Sequence, residues 1–339
     1  PVFGENGMVV STSKQASEVG IEILKKGGNA VDAAVAVGFA LAVTSSSNGN
    51  IGGGGFMVAA MTDGETFTLD YREKAPAAAH RDLFLNDSGN VVPGMSLSSR
   101  AGSGVPGSVD GLTRALADHG SGNISLRQAL APAIRLAEKG FQLSHYEARR
   151  FNGYEGLFQS NDAAAAIFIR KNNNPWKKGD KLVQKDLAKT LKRISRYGRD
   201  GFYTGPVADL IVTEMKRGNG LISLEDLKNY CSVYRDPVSG TYNGYEVISM
   251  GPPSSGGALL VNMMNMLENY PVDSLGWNSS DYIHLLTEVE RRAYADRAEH
   301  MGDSDFWDVP LEMLTSKVYA NTRINDISLE IATPSSAVF

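Results

Sequence analysis

An arginine directly after a predicted strand is the residue best placed to bind a ligand. The strand is predicted over residues 65–71 and follows a strand over 56–61 in a hairpin with an Asp-Gly turn. An arginine fixed at a strand end, here Arg72, can present its guanidinium as a fork that binds a carboxylate through two hydrogen bonds. The alternative is a surface ion pair with Asp70 or Glu73. On these residues alone both interpretations stay open.

Two glycine-rich segments could bring backbone close to a ligand. Residues 52–55 are all glycine, but they lack the Lys-Ser/Thr ending of a phosphate-binding loop. They permit positive φ angles and a close approach to a neighbouring strand or to a ligand. Residues 102–107 have GxGxxG spacing, yet no buried strand precedes them and Pro106 occupies the turn. A nucleotide cofactor is therefore not expected.

The other reactive residue types form no catalytic or metal-binding pattern. His284 and Glu288 have i, i+4 spacing, which without HExxH is more typical of a solvated or core-edge helix than of a metal site. No GxSxG occurs, and Ser254 and Ser255 lie in a Pro/Gly turn, where helix capping is the expected role. The single cysteine, Cys231, excludes an internal disulfide. We expect no metal and no cofactor.

Composition restricts the class of protein. The 339 residues include 33 basic and 38 acidic ones, a net charge of −5, with 42% hydrophobic and 21% charged residues. This profile is that of a folded globular protein, and it argues against intrinsic disorder and against nucleic-acid binding. The longest apolar stretch, residues 30–43, contains Asp32 and is shorter than the ~20 residues that span a bilayer, so it predicts a buried core helix and no membrane insertion.

Hydrophobic periodicity predicts many helices and few strands. Helices are expected over 13–26, 30–43, 108–119, 125–139, 144–151, 184–197, 205–218, 223–229, 258–267 and 280–300. Strands are expected over 7–13, 56–61, 65–71, 238–242 and 245–250, and residues 331–339 read as an irregular tail. So few strands cannot cover so many helices. Either further strands escape the pattern or another chain supplies part of the sheet.

Several segments, in order along nearly the whole chain, resemble the γ-glutamyltranspeptidases, the bacterial enzymes most closely. They are GGNAVDAAVA (27–36), GNIGGGGFM (49–57), LDYREKAP (69–76), VPGSV (105–109), GFYTG (201–205), GLISLEDL (220–227), PPSSGG (252–257) and AYADRA (293–298). Together these motifs are highly specific for that family.

The resemblance implies an α/β fold of the N-terminal-nucleophile (Ntn) hydrolase class, an αββα sandwich. In that family a precursor cleaves itself into a large and a small subunit, and the new N-terminal Thr of the small subunit is the nucleophile. Residues 1–339 are expected to be the large subunit of a single Ntn-hydrolase domain, in a heterodimer with that small subunit. The expected activity is γ-glutamyl transfer from small-molecule donors such as glutathione to water, amino acids or peptides, in the periplasm or outside the cell.

For individual residues, the resemblance implies a role for Arg72 alone. The arginine of the family's Asp-x-Arg-Glu-x-Ala-Pro motif holds the α-carboxylate of the γ-glutamyl group, and Arg72 occupies that position. No catalytic residue is expected in this chain. Two alternatives stay open: a glutaryl or cephalosporin acylase, or a γ-polyglutamate-processing relative, of the same fold; or a non-enzymatic carboxylate-binding protein.

Overall fold

The computed structural model describes residues 3–170, 174–325 and 327, so the tail predicted over 331–339 lies outside the described residues. The chain divides into two compact units. The first comprises Pro1–Gly55 and Tyr71–Ser232, and the second comprises Phe56–Asp70 and Val233–Phe339.

The elements follow one another in this order. The helices are α1 (Lys14–Lys25), α2 (Ala30–Thr44), α3 (Met95–Ser98), α4 (Ser108–His119), α5 (Leu126–Lys139), α6 (His145–Gly153), α7 (Glu155–Gln159), α8 (Asp162–Phe168), α9 (Lys185–Tyr197), α10 (Asp200–Tyr203), α11 (Pro206–Lys216), α12 (Leu224–Asn229), α13 (Gly256–Leu267), α14 (Ser280–His300), α15 (Leu311–Leu314) and α16 (Lys317–Arg323). The strands are β1 (Phe56–Ala60), β2 (Thr66–Asp70), β3 (Phe141–Gln142), β4 (Lys181–Leu182), β5 (Val233–Arg235), β6 (Val238–Tyr242) and β7 (Tyr245–Ser249).

The first unit is built around α2, which is buried on nearly every side. Val35 and Phe39 are fully buried, and α1, α4 and α5 pack around the helix. Its start is fixed by a capping box, in which Asp32 N–H donates to Asn29 Oδ1 (2.9 Å) and Asn29 N–H donates to Asp32 Oδ2 (2.8 Å). The Asp32 carboxylate also lies where the helix dipole favours a negative charge. The predicted core helix is confirmed.

The strand predicted over residues 7–13 is wrong. Ser13 caps α1 as expected, its hydroxyl accepting from Ala16 N–H, but residues 7–13 pair with none of the strands in the described part of the chain. A Cβ on Gly20 of α1 would lie 2.8 Å from a Val9 methyl carbon, so this segment packs side-on against a helix. Met8 and Val10 are exposed. An apolar run without a partner strand cannot form a ladder.

The second unit contains a three-stranded antiparallel sheet in the order β1-β2-β5. β1 and β2 form the predicted hairpin, with Phe56 opposite Asp70. At the other edge of β2, Thr68 lies opposite Arg235. Arg235 bonds the carboxylates of Asp70 (2.8 Å) and Asp305 (2.9 Å), and these two partners raise the pKa of the guanidinium against the effect of its burial.

Helices α13, α14 and α16 form the core of the second unit. Met266, Leu285 and Ala320 are fully buried there. A buried carboxylate, Asp296, joins the three helices by accepting hydrogen bonds from Asn262 Nδ2 (3.2 Å) and from Tyr319 Oη (2.8 Å). Burial, together with this bond to Asp296, raises the pKa of Tyr319 to about 12.

The predicted helices and both predicted hairpins are confirmed, with ends that differ by a few residues. The sequence pattern missed short elements. These are α3, α7, α8, α10, α15 and α16 among the helices, and β3, β4 and β5 among the strands. Segments of two to four residues are too short to display a period, and α7, α8 and α16 offer at most two helical turns.

Candidate functional site

Arg72 lies on a short segment whose backbone is hydrogen-bonded on both sides of it. Before it, Tyr71 N–H donates to Gly55 O (3.0 Å) and Gly55 N–H donates to Tyr71 O (3.2 Å). After it, Lys74 N–H donates to Val105 O (3.1 Å) and Val105 N–H donates to Lys74 O (2.7 Å). Two reciprocal pairs in so short a stretch fix the path of the backbone. They also fix the direction in which the Arg72 side chain leaves it.

The glycine run lets backbone pack directly on this segment. Residues 52–55 all lie outside the left-handed region, so positive φ is not why they are glycine. A Cβ on Gly54 would overlap Tyr71 O and lie 2.8 Å from Glu73 N, and one on Gly55 would lie 2.8 Å from the Tyr71 ring. Of the two interpretations of the run, close approach to a neighbouring strand segment is the one the structure shows.

The GxGxxG segment packs on the other side of the Arg72 segment, and the backbone N–H groups at its end are hydrogen-bonded within the chain. A Cβ on Gly104 would lie 2.8 Å from Glu73 Cβ, which explains this glycine by packing. The N–H groups of Gly107 and Ser108, at the start of α4, both donate to Gly53 O, at 2.7 Å and 2.9 Å. A phosphate loop needs such N–H groups to point at the ligand. Here they join the two glycine segments to each other.

A tyrosine that sequence reasoning missed adds a further hydrogen bond to the Arg72 backbone. We call this backbone and its partners Gly55, Val105 and Tyr230 the frame. Tyr230 Oη donates to the carbonyl oxygen of Arg72 at 2.7 Å. Its side chain is buried, with the residue only 3% exposed. The contact joins positions 158 residues apart, and no pattern along the sequence pairs them.

The Arg72 side chain extends into solvent from this frame. It is 55% exposed, and its Nε lies 3.5 Å from Glu73 Oε2. The ion pair considered from the sequence is thus present. It is a surface pair, a kind that contributes about 0–1 kcal/mol, and it leaves the guanidinium accessible to a ligand carboxylate. An exposed guanidinium is a group whose chemistry suits pairing with an anion.

Tyr71 supports the frame and is not suited to acid–base work. Burial raises the pKa of its hydroxyl, so the group stays neutral at physiological pH. Its ring packs against α4 at Gly111, where a Cβ would overlap the ring.

The other candidates from the sequence have structural roles. Glu288 pairs with Arg292 at 2.7 Å, and no group of three or more His, Cys, Asp or Glu within the described residues could hold a metal ion. Ser254 Oγ accepts from Gly256 N–H at 3.2 Å, as expected of a cap, but Ser255 makes no capping bond and instead accepts from Arg297 Nε at 3.0 Å. Cys231 is exposed. No helix in the described ranges combines the length and the apolar character needed to cross a bilayer.

A cavity of about 980 Å³ lies elsewhere in the first unit. Its walls come from the α1 N-terminus, residues 45–48 and the α6–α8 region, with Phe151, Phe158 and Phe168 as apolar lining. Arg72 is not among the lining residues.

Comparison with known proteins identifies the family. The family model described as Gamma-glutamyltranspeptidase matches residues 16–338. The chain is 46% identical over 338 residues to the glutathione hydrolase proenzyme of Escherichia coli (strain K12), covering all of this chain and 58% of that protein. This chain belongs to the gamma-glutamyltranspeptidase family.

A solved structure supports the fold, and another curated relative has a different name, that of an acylase. The crystal structure of Helicobacter pylori gamma-glutamyltranspeptidase superimposes with a TM-score of 0.96 at 44% identity, covering 100% of this chain and 97% of that one. The fold class predicted from the sequence, the mixed α/β fold of this family, is confirmed. The Acylase ACY 1 proenzyme of Pseudomonas sp. (strain SE83) is 37% identical over 344 residues, covering 98% of this chain and 60% of that protein. The chain thus spans 58% of the length of the Escherichia coli proenzyme and 60% of the length of the Pseudomonas acylase proenzyme.

Proposed function

We propose that this chain is the large subunit of an enzyme that transfers γ-glutamyl groups, glutathione among its donors. The observation that carries the proposal is Arg72, an accessible guanidinium on a doubly hydrogen-bonded backbone, in a chain 46% identical to a glutathione hydrolase proenzyme. In this proposal, residues 1–339 contribute to a single Ntn-hydrolase domain that is completed by a small subunit from the same precursor. The location proposed for it, on family resemblance, is the periplasm or the cell exterior.

The proposed reaction is acyl transfer in two steps. The hydroxyl of the small subunit's N-terminal Thr attacks the γ-carbonyl carbon of the donor and passes its proton to the α-amine of the same residue. The amide C–N bond breaks, the leaving amine takes that proton, and a γ-glutamyl ester remains on the Thr. Water or the amine of an acceptor then attacks the ester, which restores the Thr hydroxyl and releases glutamate or a new γ-glutamyl amide.

The part of Arg72 in this reaction is binding. Its guanidinium would pair with the donor's α-carboxylate and so hold the γ-carbonyl at the nucleophile. The pair is the same in the ground state and in the transition state because the α-carboxylate does not react. Arg72 is therefore expected to affect KM far more than kcat.

The test uses the complete precursor, purified after expression. Intact-mass measurement should find a second chain that begins with Thr beside the large one, and γ-glutamyl-4-nitroanilide should release nitroaniline. A precursor that stays uncleaved and inactive, yet binds glutamate, would instead support the carboxylate-binding alternative.

A second candidate function is an acylase that removes glutaryl groups. The 37% identity to the Pseudomonas Acylase ACY 1 proenzyme favours an acylase of some kind, and the substrate to test is a glutaryl group, which differs from γ-glutamyl in lacking the α-amine. The two substrates are separated by kcat/KM for γ-glutamyl- and glutaryl-4-nitroanilide. The proposal expects the γ-glutamyl compound to be preferred, and a preference for the glutaryl compound would replace it with the acylase.

A further inference from the structure

We propose that Tyr230 is a positioning residue for Arg72, held in place by the ion pair of Arg199 with Asp110, and that it thereby sets the enzyme's affinity for the donor's α-carboxylate. This inference rests on the proposed function. Tyr230 would not touch the substrate. It acts through the backbone carbonyl of Arg72.

The Tyr230 side chain is confined on several sides. Its ring is stacked on the Tyr203 ring, with centroids 5.7 Å apart and planes within 6° of parallel. A Cβ on Gly107 would overlap its hydroxyl, so the absence of a side chain there makes room for the bond to Arg72 O. The hydroxyl of Tyr203 in turn donates to Pro106 O at 2.7 Å. The two stacked rings thus connect the loop before α4 with the Arg72 segment.

The backbone that carries Tyr230 is fixed by one guanidinium. Arg199 Nη2 donates to Lys228 O at 2.7 Å and to Tyr230 O at 2.5 Å. The same Arg199 stacks on the Tyr203 ring, 4.7 Å from its centroid. One side chain therefore holds both the main chain at Tyr230 and the ring on which Tyr230 lies.

A buried carboxylate orients that guanidinium. Asp110, 5% exposed, accepts from Arg199 Nε at 2.7 Å through Oδ1 and from Ser232 N–H at 2.8 Å through Oδ2. Both Asp110 oxygens therefore accept a hydrogen bond, one from the guanidinium that holds Tyr230 O and the other from the backbone two residues after Tyr230. An ion pair whose carboxylate is buried and whose two partners make this many hydrogen bonds has a defined geometry, which is the property that a positioning residue needs.

The position of the Arg72 backbone matters because it determines where the guanidinium can meet a ligand carboxylate, and the side chain is 55% exposed. A guanidinium binds a carboxylate through two hydrogen bonds only in a narrow range of directions. A displacement of about 1 Å at a substrate-positioning residue can cost on the order of a hundredfold in rate. Loss of one neutral hydrogen bond to the Arg72 backbone is a smaller change, worth about a 3- to 10-fold rise in KM.

The experiment compares two donors on the complete, processed enzyme. One is γ-glutamyl-4-nitroanilide, and the other is 4-aminobutanoyl-4-nitroanilide, which keeps the amine and the scissile amide but lacks the α-carboxylate. We expect Tyr230→Phe to raise KM for the first donor about 3- to 10-fold with kcat nearly unchanged, and to leave kcat/KM for the second donor as it was. The variant should therefore lose selectivity for the carboxylate.

Tyr319→Phe is the matched control. It removes a tyrosine hydroxyl that makes a bond of similar length, 2.8 Å, to a buried carboxylate in the second unit. It should leave both donors unaffected. Arg199→Lys is a second test of the same idea, because it keeps the charge beside Asp110 and loses the fork that holds Lys228 O and Tyr230 O. It should shift selectivity in the same direction, and it decides the question if Tyr230→Phe does not fold.

Two results would overturn the inference. One is an unchanged donor selectivity in Tyr230→Phe and Arg199→Lys. The other is an equal loss for both donors, which would indicate general damage to the fold. Failure of the proposed function looks different: the unsubstituted enzyme would not cleave the γ-glutamyl donor, or Arg72→Ala would leave its KM unchanged. If the inference holds, Tyr230→Phe adds nothing further to KM in the Arg72→Ala background, since the residue it positions is gone.

Discussion

Replacing Arg72 by Ala removes the guanidinium proposed to bind the donor's α-carboxylate, and it provides the most direct test of the site. The side chain is 55% exposed, so the free energy of its ion pair with a bound carboxylate lies between the value for an exposed pair and the value for a buried pair. Exposed ion pairs are worth about 0–1 kcal/mol, and truncating one partner of a buried pair costs about 2–5 kcal/mol. Substrate covers the guanidinium when it binds, so we expect the lower part of the buried range, about 2–3 kcal/mol.

The neighbour of Arg72 acts in the same direction, and its effect is included in the range of about 2–3 kcal/mol. Glu73 Oε2 lies 3.5 Å from Arg72 Nε, so removing the guanidinium leaves a carboxylate beside the place where the substrate's carboxylate would bind. At about 1.4 kcal/mol per factor of ten, the expected rise in KM is about 30- to 150-fold. Arg72→Lys restores the charge without the fork and should recover about half of the lost free energy.

The assay is the initial rate of nitroaniline release from γ-glutamyl-4-nitroanilide by the processed enzyme, without acceptor, over a range that brackets each KM. kcat should stay within about twofold, because uniform binding affects KM alone. Arg127→Ala, the same substitution on the exposed face of α5, is the control and should behave like the unsubstituted enzyme. A KM within threefold of the original, or a fall in kcat with KM unchanged, would refute the assignment of Arg72 to ground-state carboxylate binding.

Three further predictions concern stability, measured by chemical unfolding. Asp110→Asn removes the charge buried beside Arg199 and should lower the free energy of unfolding by about 2–4 kcal/mol. Its control, Asp186→Asn on the exposed face of α9, should change that free energy by less than about 0.5 kcal/mol. Gly111→Ala places a Cβ against the Tyr71 ring and should lower the free energy of unfolding by about 1–3 kcal/mol. Gly156→Ala lies in open space on α7 and should raise it by about 0.5–1 kcal/mol. Equal effects of the two substitutions would contradict the packing argument. Burial and the bond to Asp296 raise the pKa of Tyr319 to about 12, so its stabilising contribution is complete below the ordinary tyrosine value of about 10 and is lost as pH rises to about 12. The excess stability over Tyr319→Phe should disappear across that range.

Much of the helical structure could be predicted because its signals are local. The capping box at Asn29 and Asp32, and the apolar run after it, define the start and the burial of α2 within a few residues of sequence. The same holds for the hairpins, where an Asp-Gly or Asn-Gly pair lies between two alternating runs. The strand prediction for residues 7–13 failed because Val9 packs on α1 while Met8 and Val10 are exposed, and an apolar run by itself does not say which kind of element covers it.

The candidate site could be predicted only in part. Arg72 stood out because a strand end is a local feature. The residues that fix its backbone come from positions far apart, with Val105 on one side and Tyr230 on another. Asp110 and Arg199 lie 89 residues apart, Asp110 on a predicted helix and Arg199 between two predicted helices, and no sequence pattern pairs them. Only the folded chain brings a buried carboxylate to a guanidinium, and the guanidinium to the backbone of a tyrosine.

In the proposed site, accessibility comes from the Arg72 side chain and precision from its backbone, and this division orders the expected effects. A binding arginine must be accessible, so its side chain cannot be held by burial, and the precision has to come from the backbone. Reciprocal bonds to Gly55 and Val105 and the Tyr230 hydroxyl supply that precision. Removing the arginine side chain should therefore weaken binding more than loosening the frame. KM for a γ-glutamyl donor should rise most in Arg72→Ala and less in both Arg72→Lys and Tyr230→Phe, while a donor without the α-carboxylate should show none of the three effects. A donor-independent ordering would mean that the frame supports the fold in general, and not the carboxylate site.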